Sequence, residues 1–300
     1  MSAAAEPTSP VPSNWGRWGT DDERGTLNYI TPEVRLRAVT EARLGQSVSL
    51  SRPAIPTALT SGPTGLHTAV VPAAVSQAMT FTGSTTPALT DLLIINTHHP
   101  TLTHLDALGH IPFQNRIYPG HDLDAVASSN GLRHSSTTAF ADGIITRGIL
   151  LDLTAGKALE PGHPITADDL AAAAERAAIK VSPGDGLVVH GGFFAADSIG
   201  RVPSPGMTLD AIRWMHRHQI SIYLGDVGDA HPAVEPDPAW PLPLHQVGLA
   251  RLGLPLIDNA AVDGLVEASH STGRTTFLLI VAPPAIHGAT GVPVGPLAVF

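Results

Sequence analysis

Apolar residues of this chain fall in short blocks separated by polar, glycine-rich or proline-rich stretches, a pattern typical of a sheet with intervening helices. The blocks rich in Val, Ile and Leu predict strands over residues 47–50, 79–83, 91–97, 144–153, 186–190, 220–224 and 276–282. Helices are predicted over residues 32–44, 167–179, 208–218, 242–252 and 261–268. Strands that alternate with helices predict an α/β fold around a mixed sheet.

The N-terminal region differs in composition from the rest of the chain. Residues 1–13 are rich in proline, serine and alanine, and we predict a loose tail there. The indoles of Trp15 and Trp18 are expected to pack against the main body or a neighbouring subunit, because exposed they would form an unusual apolar patch. We predict a single domain over residues 14–300, since the sequence shows neither an internal repeat nor a long linker. Residues 52–76 are predicted to form a functional or mobile loop.

The composition limits the chemistry and the partners of the chain. Its 300 residues are 43% hydrophobic and carry a formal net charge of −9, which permits a sizeable core and argues against a nucleic-acid partner. No apolar run approaches the roughly 20 residues that cross a bilayer, and the first residues lack a signal-peptide pattern. We therefore expect a cytoplasmic protein without a membrane partner. Because the chain has no cysteine, any metal ion would be held by His, Asp, Glu or water.

One stretch concentrates the groups that bind metals and move protons. Residues 103–110 have the sequence THLDALGH and follow an apolar run at residues 92–95 that predicts a buried strand. In an extended segment His104 and Asp106 point to the same side, and a following helical turn would bring His110 to the same face. Two imidazoles and one carboxylate in a small volume suit a divalent metal and proton transfer, although an aspartate that orients a histidine in a polar turn is an equal alternative.

Histidines elsewhere in the chain have weaker signals. His98 shares the parity of His104 if the segment between them is extended, so we predict that His98 and not His99 lies in the site. His245 opens a predicted helix and Asp258 ends an apolar run, so the two could meet at a site on a sheet edge, although a capping histidine and a turn aspartate are the favoured interpretation of these residues alone. Gly191 and Gly192 follow a predicted strand that ends at 190, where backbone N–H groups could approach a ligand. There is no Gly-x-Ser-x-Gly elbow for a serine hydrolase and no glycine-rich phosphate motif.

These stretches together resemble the metal-dependent cyclase family, which includes bacterial kynurenine formamidase and isatin hydrolase, in its longer branch of roughly 300 residues. The resemblance is carried by residues 14–19 (NWGRWG), 25–28 (GTLN), 103–110 (THLDALGH), 147–152 (RGILLD), 243–245 (PLH), 282–284 (APP) and 288–293 (GATGVP). It implies a swivelling β/β/α-type fold, a homodimer or homotetramer, and a zinc or manganese ion. It also implies hydrolysis of amides, lactams or related acyl groups.

The same resemblance implies roles for individual residues. His104 and Asp106 would be metal ligands, His245 and Asp258 would complete the metal site, and His110 would be the general acid or base. His98 corresponds to a further metal-site histidine of the longer branch. Two positions depart from the family pattern: Pro100 stands where the dinuclear members have their first histidine, and Asp258 stands where a glutamate is usual. We therefore expect about one divalent ion per chain.

Three functions remain open from the sequence. The first is a metal-dependent hydrolase of a small amide, lactam or lactone, with His110 as the proton carrier. The second is a metal-independent cyclase, dehydratase or isomerase that acts on a natural-product intermediate through His110 and Asp106. The third is a non-catalytic protein that binds a small ligand on the same fold. Metal content separates the first two, and binding without turnover would indicate the third.

Overall fold

The computed structural model describes residues 11–58, 73–83, 88–194 and 203–300. Its strands are β1 (Ser47–Ser49), β2 (Thr57–Ala58), β3 (Val75–Thr82), β4 (Ala88–Ile95), β5 (His104–Asp106), β6 (Arg116–Ile117), β7 (His121–Asp122), β8 (Ala127–Ser128), β9 (Gly131–Leu132), β10 (Ile144–Asp152), β11 (Pro164–Ile165), β12 (Gly186–His190), β13 (Gly206–Met207), β14 (Ile222–Gly225), β15 (Leu256–Asp258), β16 (Thr276–Val281), β17 (Gly291–Pro293) and β18 (Leu297–Val299). Its α-helices are α1 (Pro32–Val39), α2 (Leu123–Val126), α3 (Ala167–Arg176), α4 (Leu209–Arg217) and α5 (Asp263–Thr272). Gly25–Tyr29 and Thr137–Phe140 form 3₁₀-helices, and Leu244–Leu252 forms a π-helix.

A nine-stranded mixed sheet forms the centre of the described structure, in the order β1-β18-β16-β10-β12-β14-β15-β5-β17. Strands β10, β12, β14 and β15 are parallel, and their neighbours on both sides run antiparallel. The parallel strands are almost entirely buried, as expected for strands covered on both faces. The predicted α/β fold with a mixed sheet is confirmed.

Helix ends follow the residues that can cap them. Thr166 and Asp169 form a reciprocal capping box, in which Asp169 Oδ2 accepts from the Thr166 N–H at 2.8 Å, so α3 begins where the sequence predicts. Helix α1 begins at Pro32 as predicted but ends at Val39 rather than at residue 44. The hydroxyl of Thr40 donates to the carbonyl of Arg37 at 2.7 Å and closes the last turn there.

The predicted helix over residues 242–252 is a π-helix, Leu244–Leu252. This wider helix is rare and is frequently found at functional sites. It ends at Gly253, which has φ +65°, and a Cβ atom there would lie 2.7 Å from the ring of Tyr118. Glycine is therefore required on both conformational and steric grounds.

Strands β3 and β4 form an antiparallel hairpin that pairs with β2 and not with the large sheet. The sequence predicted a buried strand at residues 92–95, and this prediction is wrong. Every residue of β4 is exposed, and Phe81 on β3 is 72% exposed. The apolar residues did form a strand, but no layer of the described chain covers either face of the hairpin.

The N-terminal arm packs on the π-helix. The indole N–H of Trp15 donates to the carbonyl of Ala250 at 2.6 Å, and the side chain of Asn14 donates to Leu252 at 2.9 Å. The predicted tail over residues 1–13 falls largely on residues 1–10, which lie outside the described residues, as do residues 59–72 of the predicted loop. Across the described ranges, no helix has the length and apolarity needed to cross a membrane.

Candidate metal centre

The pairing of the short strands β5, β15 and β17 brings residues from distant parts of the sequence together. In the antiparallel pair β15–β5, Asp258 lies directly opposite His104, and in the pair β17–β5, Gly291 lies opposite Asp106. Side chains at directly opposed positions of such a pair are close neighbours. Strand register alone therefore brings Asp258 next to His104, although the two residues lie far apart in the sequence.

His104 is held in one tautomer by the backbone. Its Nδ1–H donates to the carbonyl of Leu102 at 2.8 Å, so Nε2 carries the free lone pair. That Nε2 atom lies 3.5 Å from Asp106 Oδ1, and both side chains are buried. His104 and Asp106 thus share a side of β5, as the alternation of a strand requires.

His98 joins the same volume, but not through an extended segment. Residues 97–102 form turns, in which the N–H of Leu102 donates to the carbonyl of His99 at 2.9 Å. His98 Nδ1 lies 3.0 Å from Asp106 Oδ1, whereas His99 Nδ1 lies 2.8 Å from the hydroxyl of Thr101. The structure therefore directs His98 and not His99 to Asp106, although parity is not the reason. The role of His98 as a ligand stays a prediction.

Gly291 makes room for the His98 ring. A Cβ atom built at residue 291 would lie 2.5 Å from His98 Cε1, much closer than any side chain tolerates. The ring is further positioned by a contact of 3.2 Å between His98 Nε2 and the hydroxyl of Thr290. Strand β17 therefore shapes the site without supplying one of its candidate ligands.

His110 reaches the site from a turn and not from a helical face. Its N–H donates to the carbonyl of Ala107 at 3.0 Å, and its ring stacks on His98 with centroids 3.6 Å apart. Burial lowers the pKa of His110 to about 4, opposed by the charge of Asp106 and assisted by the neighbouring histidines His98, His245 and His104. The imidazole is therefore neutral at pH 7 and available to accept a proton.

His245, on the first turn of the π-helix, closes the centre from the opposite side. Its Nε2 lies 3.2 Å from Asp258 Oδ2 and 3.4 Å from Asp106 Oδ2. Its Nδ1 lies 2.7 Å from Asp229 Oδ2. Burial works against protonation, but the three carboxylates outweigh it and raise the pKa of His245 well above the usual value.

Asp229 is the residue of this site that the sequence reasoning missed. It lies on the loop after β14, and the proline-rich residues 230–244 separate it from His245. A signal was present in the sequence, because the acids Asp226 and Asp229 directly follow a predicted buried strand at residues 220–224. The carboxyl ends of parallel strands are where α/β proteins place their ligand-binding groups.

The six side chains described above, His98, His104, Asp106, His110, His245 and Asp258, are called the candidate centre below. Its chemistry fits a divalent metal ion. Asp106 is fully buried, and neither of its carboxylate oxygens has a hydrogen-bond partner among the described residues. His98 Nδ1 and Asp258 Oδ1 share this property. Ligand atoms lie within 4.8 Å of one another in two groups, His98 with Asp106 and His110, and His104 with Asp106 and Asp258. Unpaired buried lone pairs are costly without a cation, and nitrogen with carboxylate oxygen suits zinc or manganese.

A cavity of about 240 Å³ opens beside the candidate centre. His245 and Asp258 form part of its wall, and the remaining wall is mainly apolar. The lining residues are Ile111, Phe193, Ser204, Pro205, Asp226, Val227, Gly228, Asp229, Leu242, His245, Asp258 and Asn259. A cavity of this size admits a small molecule next to the candidate ligands.

Two backbone N–H groups after β12 are already paired. The N–H of Gly191 donates to Asp226 Oδ1 at 2.7 Å, and the N–H of Phe193 donates to Asp226 Oδ2 at 3.2 Å. One buried carboxylate therefore already takes these two donors, which leaves neither of them for a ligand.

His190 has carboxylates of its own. Its Nδ1 lies 2.9 Å from Asp152 Oδ1, and its Nε2 lies 3.3 Å from Asp263 Oδ1 and 3.9 Å from Asp226 Oδ2. These four residues are called the His190 cluster below. Burial opposes ionisation of Asp152, but hydrogen bonds from His190 and Thr154 lower its pKa to about 2.

Comparison with known proteins agrees with this fold. The sequence profile that describes the cyclase family matches residues 44–230, and the chain belongs to this family. A crystal structure of a novel cyclase is 28% identical, with a TM-score of 0.81 over 96% of this chain and 98% of that chain. None of the curated proteins matches the chain.

Two isatin hydrolases share the fold. Isatin hydrolase A from Labrenzia aggregata is 17% identical, with a TM-score of 0.53 over 84% of this chain and 93% of that chain. Isatin hydrolase A from Ralstonia solanacearum is 18% identical, with a TM-score of 0.53 over 84% of this chain and 91% of that chain. At these identities the likeness extends to the fold alone.

Proposed function

We propose that the chain is a metal-dependent hydrolase of a small amide, lactam or lactone, of the cyclic or aryl-formamide type. The observation that carries the proposal is Asp106, a fully buried carboxylate that accepts no hydrogen bond from the described residues. The rings of His98, His104 and His245 are directed towards it, with nitrogen–oxygen distances of 3.0 Å, 3.5 Å and 3.4 Å. A divalent cation between these groups would satisfy the lone pairs that they direct at one another. Membership of the cyclase family supports the assignment.

In this proposal His104, Asp106, His245 and Asp258 hold about one zinc or manganese ion, and His98 completes the set. Bound there, a divalent ion would polarise the carbonyl group of the substrate and would lower the pKa of a bound water molecule toward ~7. The backbone carbonyl of Leu102 keeps the Nε2 lone pair of His104 directed at the centre. The short side chain of Asp258 reaches the centre because strand register places it opposite His104.

His110 is the proton carrier in this proposal. Its neutral ring accepts a proton from the attacking water and returns it to the leaving nitrogen or oxygen. Stacking on His98 fixes the plane of the ring without using either ring nitrogen. The apolar wall of the adjacent cavity, with Ile111 next to His110 in sequence, excludes bulk water and favours a small apolar substrate.

Metal content is the test of this function. Protein purified without chelator is analysed for metals, then treated with chelator and assayed on an aryl formamide, a lactam and a lactone. We expect about one ion per chain, loss of hydrolysis on metal removal, and recovery on adding zinc or manganese. Full activity in metal-free protein would instead favour a metal-independent cyclase, dehydratase or isomerase. Binding of these compounds without turnover would favour a ligand-binding protein.

We also propose that the chain assembles as a homodimer or homotetramer. The exposed apolar side chains of the hairpin support this, since Phe81 is 72% exposed and Leu89 is 65% exposed. Contiguous exposed apolar surface of this kind is unusual for a monomer and common at interfaces. Light scattering at micromolar concentration checks the assembly, and a monomer would contradict it.

A further inference from the structure

We propose that Asp229 is a positioning residue for His245, which fixes the tautomer and the direction of the ring so that Nε2 faces the metal centre. The inference rests on the proposed function, because it assumes that His245 is a metal ligand. Asp229 lies outside the set of candidate ligands and affects metal affinity only through His245.

The carboxylate of Asp229 makes three contacts with two consecutive residues. Its Oδ1 accepts from the N–H of Leu244 at 2.8 Å, and its Oδ2 accepts from the N–H of His245 at 3.1 Å. The same Oδ2 lies 2.7 Å from His245 Nδ1. The Asp229 side chain is only 4% exposed, so water does not compete with these donors.

The three contacts join the backbone of the π-helix to the ring of His245. Pro243, at the N-cap position, makes no side-chain cap, and Asp229 supplies the acceptor for the first N–H groups instead. One oxygen that accepts both the backbone N–H and the ring N–H of His245 restrains rotation about its side chain. The proton on Nδ1 is thereby fixed, and the Nε2 lone pair is left for the centre.

Carboxylates that accept the second N–H of a ligating histidine are a general feature of metal sites, where they fix the tautomer and increase ligand basicity. Here the Nε2 atom that this leaves free lies 3.2 Å from Asp258 Oδ2 and 3.4 Å from Asp106 Oδ2. Nδ1 is directed away from these candidate ligands by its contact with Asp229. A change at residue 229 therefore alters the centre without removing a ligand.

Asp229→Asn is the informative substitution because it keeps the size of the side chain and replaces one acceptor oxygen with an NH₂ donor. The amide offers one acceptor and one donor, whereas the site presents donors to both oxygens. With the NH₂ group next to His245, it faces the backbone N–H of that residue, and the ring must accept at Nδ1 and carry its proton on Nε2. With the NH₂ group next to Leu244 instead, two donors face each other.

Asp226→Asn is the matched control. Asp226 lies on the same loop, is equally buried at 4% side-chain exposure, lines the same cavity and accepts two backbone N–H groups. Among the described residues its side chain contacts His190, Gly191 and Phe193 and not His245. The control therefore reproduces the lost charge and the disturbed loop, but not the change at the ring.

Zinc affinity is measured for the native protein and both variants by competition with a chromophoric chelator, with circular dichroism as the check of folding. We expect Asp229→Asn to weaken zinc binding by about 10–100-fold, the usual loss for such carboxylates, and Asp226→Asn to stay near the native value. Native-like zinc affinity in folded Asp229→Asn, or equal losses in both variants, would overturn the inference.

A second measurement needs no stable variant at residue 229. Nitrogen NMR of ¹⁵N-histidine-labelled native protein loaded with zinc, assigned with His245→Gln, shows which ring nitrogen carries the proton. A proton on Nδ1 and zinc on Nε2 supports the inference, and the reverse overturns it. Failure of the native protein to bind zinc would overturn the proposed function as well, whereas zinc binding with the wrong tautomer would overturn the inference alone.

Discussion

His245 and His190 have closely matched surroundings in two different parts of the sheet. Each has one carboxylate on Nδ1, Asp229 at 2.7 Å and Asp152 at 2.9 Å, and another near Nε2, Asp258 at 3.2 Å and Asp263 at 3.3 Å. In both cases burial lowers the histidine pKa but the carboxylates outweigh it, so both pKa values are raised. Residue types and distances alone do not separate the two.

The difference lies in the pairing of the remaining lone pairs. In the candidate centre both oxygens of the buried Asp106 lack hydrogen-bond partners among the described residues. In the His190 cluster the buried Asp226 accepts two backbone N–H groups, and Asp263 is 74% exposed to solvent. A deficit of hydrogen-bond donors, and not the number of histidines and acids, therefore distinguishes the candidate centre from the ion pairs around His190.

The largest difference in turnover between variants of the two clusters is expected for His110 and His190. His110→Asn should reduce turnover by ~10²–10⁴-fold while leaving bound metal and fold largely intact, because a general acid or base is lost and no ligand is removed. His190→Asn, the counterpart in the other cluster, should leave the catalysed step largely unaffected. Turnover, metal content and melting temperature are measured on one preparation. Near-normal turnover with a lowered melting temperature would remove His110 from the mechanism.

The next largest effect is on zinc affinity and concerns the acids near the Nε2 atoms of His245 and His190. Asp258→Asn should weaken zinc binding by at least ~10-fold, whereas Asp263→Asn should leave it unchanged, because only the first acid faces unpaired lone pairs. The substitutions are matched in chemistry and in distance to the histidine, at 3.2 Å and 3.3 Å. Chelator competition gives the affinities. Equal losses in the two variants would show that the clusters do not differ in the way described.

A smaller effect is expected for the adjacent histidines 98 and 99. His98→Ala should lower activity and metal affinity more than His99→Ala, since His98 lies 3.0 Å from Asp106 and His99 contacts Thr101 instead. The loss should be smaller than at Asp258, because Asp258→Asn removes a negative charge that attracts a cation, whereas His98→Ala removes a neutral nitrogen donor. Steady-state rates and zinc affinities of the two variants check this. The reverse order of effects would place the wrong histidine at Asp106.

The smallest effect is a pH-dependent change in stability at the His190 cluster. Since the folded state raises the pKa of His190, its stabilising contribution is complete below the unfolded pKa near 6.5 and is lost as pH rises through the folded value. His190→Gln should therefore lower the melting temperature by a few degrees more at pH 5.5 than at pH 9. Thermal unfolding of metal-free protein at both pH values is the measurement. A gap that widens toward pH 9 would contradict this sign.

Much of the sheet could be predicted from the sequence, because strands such as β10 and β12 are continuous apolar runs with sharp polar ends. Burial was less predictable. The run at residues 92–95 is as apolar as β12, yet it lies on the exposed hairpin, and apolarity alone does not tell which layer covers a strand. Strands β17 and β18 are three residues long and too short to give a periodic signal.

For the candidate centre, the sequence could indicate His104 and Asp106 from the alternation of a strand. It could not derive the approach of Asp258, which depends on the register of β15 against β5, nor that of His98, which depends on turns at residues 97–102. Local spacing does not determine either feature. Asp229 was missed because its partner is reached across a proline-rich loop that has no periodic pattern.

The hairpin has a consequence for how the protein behaves on dilution. Strand β4 ends at Ile95, and the turn that carries His98 begins two residues later. A second copy of the chain that packs on the hairpin would also restrain the segment between β4 and His98. The fraction of chains with such a partner depends on protein concentration by mass action. Specific activity should then fall at concentrations below the dissociation constant of the assembly, whereas a centre independent of its neighbour would turn over at a constant rate per molecule.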